Sequence, residues 1–221
     1  FETVRAQLLD RERARLEQEL ALTGAVQTLL LPQKADLCGK GWSLAAHYES
    51  AAQSGGDWWW ADAAEGKCLR ILMGDVTGHG PGSAMVTALI SGSYRTLQQT
   101  FANGGPKEAM QILNCLLLEL GSDRYWMTFS VLELDLLKSE FRFWNAGSPP
   151  AYQMHLDGTI QSIAARGAPL GSGALTVGFV SGPLAPGDRF FAYTDGLPEM
   201  NLAEKKSLGQ KGVRRLLQNT R

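Results

Sequence analysis

Several residue types that mark particular classes of protein are scarce in this 221-residue sequence. Three cysteines, Cys38, Cys68 and Cys115, are too few and too widely spaced for a disulfide framework or a zinc site. We expect all three to be reduced and buried, in a cytoplasmic protein. The three histidines show no spacing that would let two of them share a metal ion.

Long apolar runs and an excess of one sign of charge are also missing. No stretch approaches the ~20 apolar residues that a membrane-spanning helix requires, and the N-terminus does not resemble a signal peptide. The net charge of −1 gives no reason to expect a nucleic-acid surface. An apolar content of 44% and a charged content of 19% indicate an ordinary globular protein with one large domain or two small ones.

The first 31 residues differ in composition from the rest and predict one long helix. Arg, Glu, Gln, Ala and Leu dominate this run, and Leu9, Leu16 and Leu20 have heptad-like spacing. It has no start methionine and no N-cap. We therefore predict a linker helix over 1–31, leading in from an upstream regulatory or sensor region, and a second domain over 32–221. The alternative is an amphipathic helix that packs only on its own domain.

Beyond Pro32, strands and helices occur in separate blocks, which predicts an antiparallel α+β fold. A loop is expected as far as Gly41. Helices are expected over 83–100 and 106–120, and strands over 42–49, 58–60, 67–74, 126–134, 138–145, 150–155, 158–163 and 189–193. The strand at 58–60 and the next one form a predicted hairpin across the turn Asp62–Gly66. Two of its three consecutive tryptophans are expected in the core and at least one at a rim, because neighbours on a strand point to opposite sides.

An acidic residue, Asp75, ends an apolar strand, and a turn with Gly78, Gly80 and Gly82 then leads into a helix. A P-loop is excluded because no Gly-Lys-[Ser/Thr] closes the turn, and a dinucleotide fingerprint fails at Ser83, where its third glycine belongs. A carboxylate beside bare backbone suits a hard divalent cation. On spacing alone, a tight turn with an incidental Asp explains the pattern equally well.

Two further carboxylates have the same setting, since Asp57 follows two glycines and Asp195 precedes one. The predicted hairpin brings Asp57 and Asp75 to the same end of a sheet. Carboxylates gathered in this way repel one another unless a cation neutralises them. Two divalent ions sharing them would lower the pKa of a water, the usual device for hydrolysing phosphate esters. The sequence offers no serine elbow, Cys–His pair or two-histidine motif as another route.

A series of linked motifs resembles the bacterial PPM serine phosphatases of the RsbU/SpoIIE type, over roughly residues 25–217. The motifs are Gln27-x-x-Leu-Leu-Leu-Pro32, Ser54-Gly-Gly-Asp57, Gly74-Asp-Val-Thr-Gly-His-Gly80, Asn145-Ala-Gly147, Gly167-x-Pro-Leu-Gly171, Pro186-Gly-Asp188 and Tyr193-Thr-Asp-Gly196. The resemblance implies a sandwich of two packed antiparallel sheets flanked by helices. It also implies two Mn²⁺ or Mg²⁺ ions at one end of that sandwich.

By the same resemblance, Asp75 bridges the ions, the Val76 carbonyl helps to hold one of them, and Asp57 and Asp195 contribute to one each. No side chain acts covalently, because the attacking water is metal-bound and held by Asp75 and Asp57. The implied substrate is phosphoserine or phosphothreonine on a STAS-domain protein of the anti-anti-sigma type. The linker helix is implied to connect to an upstream sensor and is a candidate homodimer contact, and the full-length protein could be tethered to a membrane upstream.

Two departures from the family pattern bear on this interpretation. The chain stops at Arg221, before the Asp-Asp-x-Thr strand that supplies a further acidic ligand, so one metal site is expected to be weak. The histidine of the family's Asn-Ala-Gly-His is Ser148. A phosphatase-like binding module that holds a signalling partner without turnover is therefore the alternative function. A nucleotide-binding domain is disfavoured because the glycine turn lacks the required lysine or third glycine.

Overall fold

The computed structural model describes residues 2–32, 36–49, 55–64, 68–103, 105–121, 124–202 and 206–219. In chain order the elements are α1 (Glu2–Leu30), β1 (Asp36–Gly39), β2 (Trp42–Ala45), β3 (Asp57–Ala64), β4 (Cys68–Val76), α2 (Pro81–Asn103), α3 (Pro106–Glu119), β5 (Met127–Asp135), β6 (Glu140–Ala146), β7 (Ala151–Met154), β8 (Ile160–Ile163), β9 (Gly178–Pro183), β10 (Arg189–Phe191), α4 (Gly196–Glu199), β11 (Asn201–Leu202), β12 (Lys206–Ser207) and α5 (Gly209–Asn219). Across these described ranges, no helix combines the length and apolar character needed to cross a bilayer.

Two antiparallel sheets form the centre of the molecule. The large sheet has the strand order β3-β4-β5-β6-β9, and the small sheet has the order β10-β7-β8. Between them lies a core in which Leu132, Phe141 and Phe143 of the large sheet meet Ala151 and Ile163 of the small one. The predicted sandwich of two packed antiparallel sheets is therefore confirmed.

Helices cover the outer face of each sheet. Leu72 and Phe129, on the outer face of the large sheet, share a core with Ile90 of α2 and Leu113 of α3. On the outside of the small sheet, a core with Tyr152 and Tyr193 includes Val213 of α5. Helix α1 packs against α2, and Leu31 just beyond its end is buried. The layers therefore follow the order helix, sheet, sheet, helix, as the resemblance implies.

The long N-terminal helix and the two central helices are confirmed, whereas several strand and turn predictions are wrong. The expected loop contains β1, which pairs with β2 across a turn at Gly41 (φ 88°). Strand β9 was not predicted because Gly178, Gly182 and Pro183 are typical of loops. It nonetheless pairs with β6 along its whole length. The first part of the turn expected over Asp62–Gly66 is instead strand, since β3 extends to Ala64; the rest of that turn lies outside the described residues.

The predicted side-chain environments are correct for the tryptophans and wrong for two of the cysteines. Trp58 and Trp59 are buried, with 1% and 8% of their surface exposed. Trp60 is half-buried and carries the Arg95 guanidinium 4.7 Å from its ring. Two of the three indoles therefore lie in the core, as expected. All three cysteines are free thiols, but Cys38 and Cys115 are exposed, so the prediction that they are buried is wrong.

A row of alternating charges crosses the large sheet near the β3–β4 connection. Asp62, Arg70, Glu133 and Arg142 lie directly opposite one another on successive strands. Glu133 is 3% exposed and accepts from Arg70 Nη2 at 2.7 Å and from Arg142 Nη2 at 3.2 Å. The Tyr94 hydroxyl of α2 donates to Asp62. Because a one-residue slip would turn this row to the other face of the sheet, it fixes the register of the strands.

Replacing Glu133 by Ala tests the contribution of this row. The substitution leaves the guanidinium of Arg70, whose side chain is 11% exposed, without its shortest ion pair. We expect a loss of about 3 kcal/mol in the free energy of unfolding, because a buried charge then lacks compensation. Urea denaturation followed by circular dichroism measures this loss.

Glu119→Ala, which removes an exposed carboxylate from α3, is the control and should change stability by less than about 0.5 kcal/mol. Equal effects of the two substitutions would show that the charged row does not stabilise the sheet.

Candidate metal centre

Asp57 and Asp75 are brought together by the pairing of β3 with β4. Asp57 begins its strand, Asp75 lies one residue from the end of the other, and the two residues are directly opposite. Opposed residues of an antiparallel pair lie on the same face, with Cα atoms about 4.5–5.5 Å apart. The alternate positions, among them Trp58 and Val76, pack in the core beneath α2 and α3. Both carboxylates therefore face the small sheet.

Asp195 reaches the same place from the small sheet. It follows β10 and immediately precedes the short helix α4. Its carboxylate shares a hydrogen bond with Asp75, and the neighbouring Thr194 hydroxyl donates a hydrogen bond to Asp57. The three predicted acidic residues thus meet where the ends of two sheets adjoin.

The carboxylates are crowded enough to disfavour their charged forms. Burial, together with the negative charges of Asp57 and Asp195, raises the pKa of Asp75 to about 8. Burial also raises the pKa of Asp57, the Thr194 hydrogen bond lowers it, and the charge of Asp195 raises it again. A divalent cation would remove this repulsion, so the electrostatics of the site favour a cation as its occupant.

Gly56 allows the backbone to approach these carboxylates. A Cβ at this position would overlap the carbonyl oxygen of Val76 and lie 2.7 Å from Asp75 Oδ1. The Gly56 carbonyl accepts from the Val76 N–H at 3.1 Å and from the Thr87 hydroxyl of α2 at 3.0 Å. The close approach, which the two-glycine pattern predicts, therefore holds the Val76 carbonyl beside a carboxylate.

The available donors fit a hard divalent cation. Carboxylate oxygens and a main-chain carbonyl are the ligands that Mg²⁺ and Mn²⁺ prefer. In the part of the chain that the structure describes, no three His, Cys, Asp or Glu side chains are already arranged around one point as ion ligands. Instead, Asp75 and Asp195 bond to each other.

The glycine turn after Asp75 serves to begin α2. Gly78 and Gly80 have φ angles of 89° and 86°, a backbone region that residues with a side chain rarely adopt. The Gly80 carbonyl accepts from the Ser83 hydroxyl at 3.0 Å and from the Ala84 N–H at 3.2 Å. The alternative of a tight strand-to-helix turn is therefore correct for these glycines, while Asp75 itself belongs to the acidic cluster.

Some residues around the centre were not identified from the sequence. Thr194 is one, although its place immediately before Asp195 in Thr-Asp-Gly is a usable signal. Glu199 is another, because its charge reaches Asp75 only through the turn of a four-residue helix that local pattern does not predict. At the departure from the family pattern, Asn145 holds the backbone of Ser148 through bonds of 2.9 and 2.7 Å.

Comparison with known protein families shows which family this chain belongs to. The model of the family described as stage II sporulation protein E (SpoIIE) matches residues 65–221. That range includes two of the three clustered aspartates, the whole small sheet and every strand of the large sheet except β3. The chain belongs to the SpoIIE family.

Relatives of this SpoIIE-family chain include known phosphatases. Phosphoserine phosphatase RsbP of Bacillus subtilis is 27% identical over 159 residues, which cover 69% of this chain and 38% of RsbP. The structure of the RsbU and RsbW domains of Rv1364c from Mycobacterium tuberculosis is 30% identical, with a TM-score of 0.60, over 73% of this chain and 44% of that one. This chain therefore spans less than half the length of either relative.

The same fold is found in the SiaA-PP2C domain of Pseudomonas aeruginosa. That structure has a TM-score of 0.75 at 19% identity and covers 94% of this chain and 83% of its own. At this level of identity the likeness concerns the fold alone. It agrees with the two-sheet, helix-covered architecture of this SpoIIE-family domain.

Gly56→Ala tests whether the close approach of the backbone shapes the site. The added Cβ would force Gly56 away from Val76 and Asp75, so we expect at least a tenfold weaker affinity for Mn²⁺ by titration calorimetry. Gly92→Ala in α2 is the matched control, because a Cβ there meets nothing within 4 Å. Unchanged Mn²⁺ affinity in folded Gly56→Ala protein would show that this approach does not form the site.

Proposed function

We propose that this chain contains the catalytic domain of a metal-dependent protein serine/threonine phosphatase. The observation that carries the proposal is the convergence of Asp57, Asp75 and Asp195 from separate strand ends in two sheets. Their mutual repulsion supports a role in holding cations, since a purely structural cluster would gain nothing from it.

We assign the ligands of two Mn²⁺ or Mg²⁺ ions to these residues. Asp75 would serve both ions, Asp57 and Asp195 would serve one each, and the Val76 carbonyl would contribute to one of them. When bound, the ions would supply Lewis acidity toward the phosphoryl oxygens and would lower the pKa of a water. The Thr194 hydroxyl orients Asp57 through its hydrogen bond. No side chain is assigned as a covalent nucleophile.

Our proposed substrate is phosphoserine or phosphothreonine on a STAS-type regulatory protein. RsbP is named a phosphoserine phosphatase, and the Rv1364c structure contains an RsbU domain together with an RsbW domain. These relatives support a phosphoprotein substrate within a signalling pathway of the partner-switching kind.

We propose that residues 1–31 link this domain, residues 32–221, to an upstream sensor. Leu9 and Leu16, and likewise Leu22 and Leu29, are seven residues apart on α1 and exposed. Such spacing suits a helix that pairs with a second copy. Because α1 packs against α2, and α2 begins six residues after Asp75, a change in this linker would reach the metal centre through α2.

A binding module that does not turn over its phosphoprotein is the second candidate. It is favoured by Ser148, which stands where the family's pattern has a histidine. Hydrolysis separates the two candidates, because both of them predict that a phosphoprotein binds.

Asp75→Asn is the variant that tests the proposed function. It keeps the size of the side chain but removes the carboxylate assigned to both ions, so we expect hydrolysis of p-nitrophenyl phosphate in Mn²⁺ to fall at least a hundredfold. The unfolding midpoint in EDTA should stay the same or rise, since one of three mutually repelling charges is gone.

Asp157→Asn removes a carboxylate from an exposed turn and should leave hydrolysis unchanged. Substantial activity in Asp75→Asn would contradict the ligand assignment. A wild-type protein that binds Mn²⁺ but releases no phosphate would favour the binding module.

A further inference from the structure

Trp126 exposes a large apolar side chain beside the metal centre. Its surface is 43% exposed, whereas Trp58 and Trp59 are buried. The backbone of Trp126 is fixed to Thr77, two residues beyond Asp75: the Thr77 N–H donates to the Trp126 carbonyl at 2.8 Å, and the Trp126 N–H donates to Thr77 Oγ1 at 3.0 Å. The residue is therefore held in place next to the acidic cluster.

The strand ladder determines which way the indole lies. Asp75 pairs with Thr128 and Val76 with Met127, so the bonds between Thr77 and Trp126 continue this register by one step. Met127 and the partly buried Tyr125 both pack in the core beneath the helices. Because side chains alternate along an extended chain, Trp126 lies on the opposite side, the side of Asp75.

The segment that carries the indole is braced from below. The Tyr125 hydroxyl lies close to α2: a Cβ added at Gly82 would be 2.5 Å from the hydroxyl oxygen. The Arg124 guanidinium lies 5.5 Å from the centre of the Tyr125 ring. An exposed indole that is held in this way loses little conformational entropy on binding. Tryptophan is also enriched among the residues that dominate the binding energy of protein interfaces.

We propose that Trp126 determines the specificity of this site, by packing against the apolar or aromatic residue that flanks phosphoserine in the substrate. The inference rests on the proposed phosphatase function and extends it from the phosphoryl group to the polypeptide that carries it. A small aryl phosphate has no flanking residue and therefore makes no use of the indole.

The test compares two substrates in wild-type protein and Trp126→Ala. With a pool of heptapeptides that carry a central phosphoserine and mixed flanking residues, we expect kcat/KM to fall about tenfold, chiefly through KM, as for loss of one interface anchor. With p-nitrophenyl phosphate, kcat/KM should change by less than about twofold. Trp126→Phe keeps an aromatic plane and should recover most of the peptide activity.

Leu137→Ala is the control for loss of exposed apolar surface, because Leu137 is 71% exposed in the β5–β6 turn at the far end of the sheet. It should alter neither substrate's kinetics. Equal peptide kinetics in wild-type protein and Trp126→Ala would overturn the proposal. So would a parallel loss with both substrates, which would place Trp126 in the structure of the site and not in recognition.

Peptide affinity, measured by fluorescence anisotropy of the labelled pool, separates this proposal from the proposed function. If the wild-type protein hydrolyses neither substrate, the phosphatase function fails. A tenfold loss of affinity in Trp126→Ala would then still uphold the recognition role of the indole. Equal affinity, or no measurable binding by the wild-type protein, would refute it.

Discussion

The register of β3 against β4 is the constraint on which the site depends. It places Asp57 opposite Asp75 and turns both toward the small sheet. A slip of β3 by one residue would send the Asp57 carboxylate into the core beneath α2 and α3. The register is held beside Asp57 by the buried Trp58 and near the other end of β3 by the charged row through Arg70. The pairing of the Asp57 and Asp75 carboxylates is therefore a consequence of strand pairing along the whole hairpin.

Bringing acidic groups together lowers the stability of the fold and prepares it for a cation. Asp75 lies near two other carboxylates, and its raised pKa expresses the free-energy cost of ionising it there. Two sheet-to-helix cores and one sheet-to-sheet core surround the site and supply the compensating burial. Sites of this kind trade stability for function, since the most stable arrangement without an ion is not the one that binds it best.

Local sequence patterns predicted the parts of the fold whose side chains follow a clear period or a known turn chemistry. The helices, the β3–β4 hairpin and the placing of Asp57 beside Asp75 belong to this group. Strand β9 does not belong to this group. It pairs with the exposed edge of β6, and this pairing overrides the preference of Gly178 and Pro183 for loops.

Other features of the site depend on packing between elements that are distant in sequence. The approach of Asp195 to Asp75 joins two sheets, and nothing in the spacing of the chain indicates it. The resemblance of linked motifs to a known family supplied that expectation. Sequence patterns also do not predict the electrostatic coupling of the three carboxylates, because it depends on the register of the strands. They do not predict that Trp126 lies on the same side of the sheet as the carboxylates, because this depends on pairing that continues beyond the last regular pair of β4 and β5.

Helix α2 connects the two ends of the large sheet. Near its start, the Thr87 hydroxyl donates to the Gly56 carbonyl beside the acidic cluster. Two turns later, the Tyr94 hydroxyl donates to Asp62 in the charged row. Both bonds join the same rigid helix to the same strand, so α2 cannot slide along β3 without straining them together. Since α1 packs on α2, the contacts of the N-terminal helix are continuous, through Thr87, with the Gly56 backbone that lies close to the Val76 carbonyl and the Asp75 carboxylate.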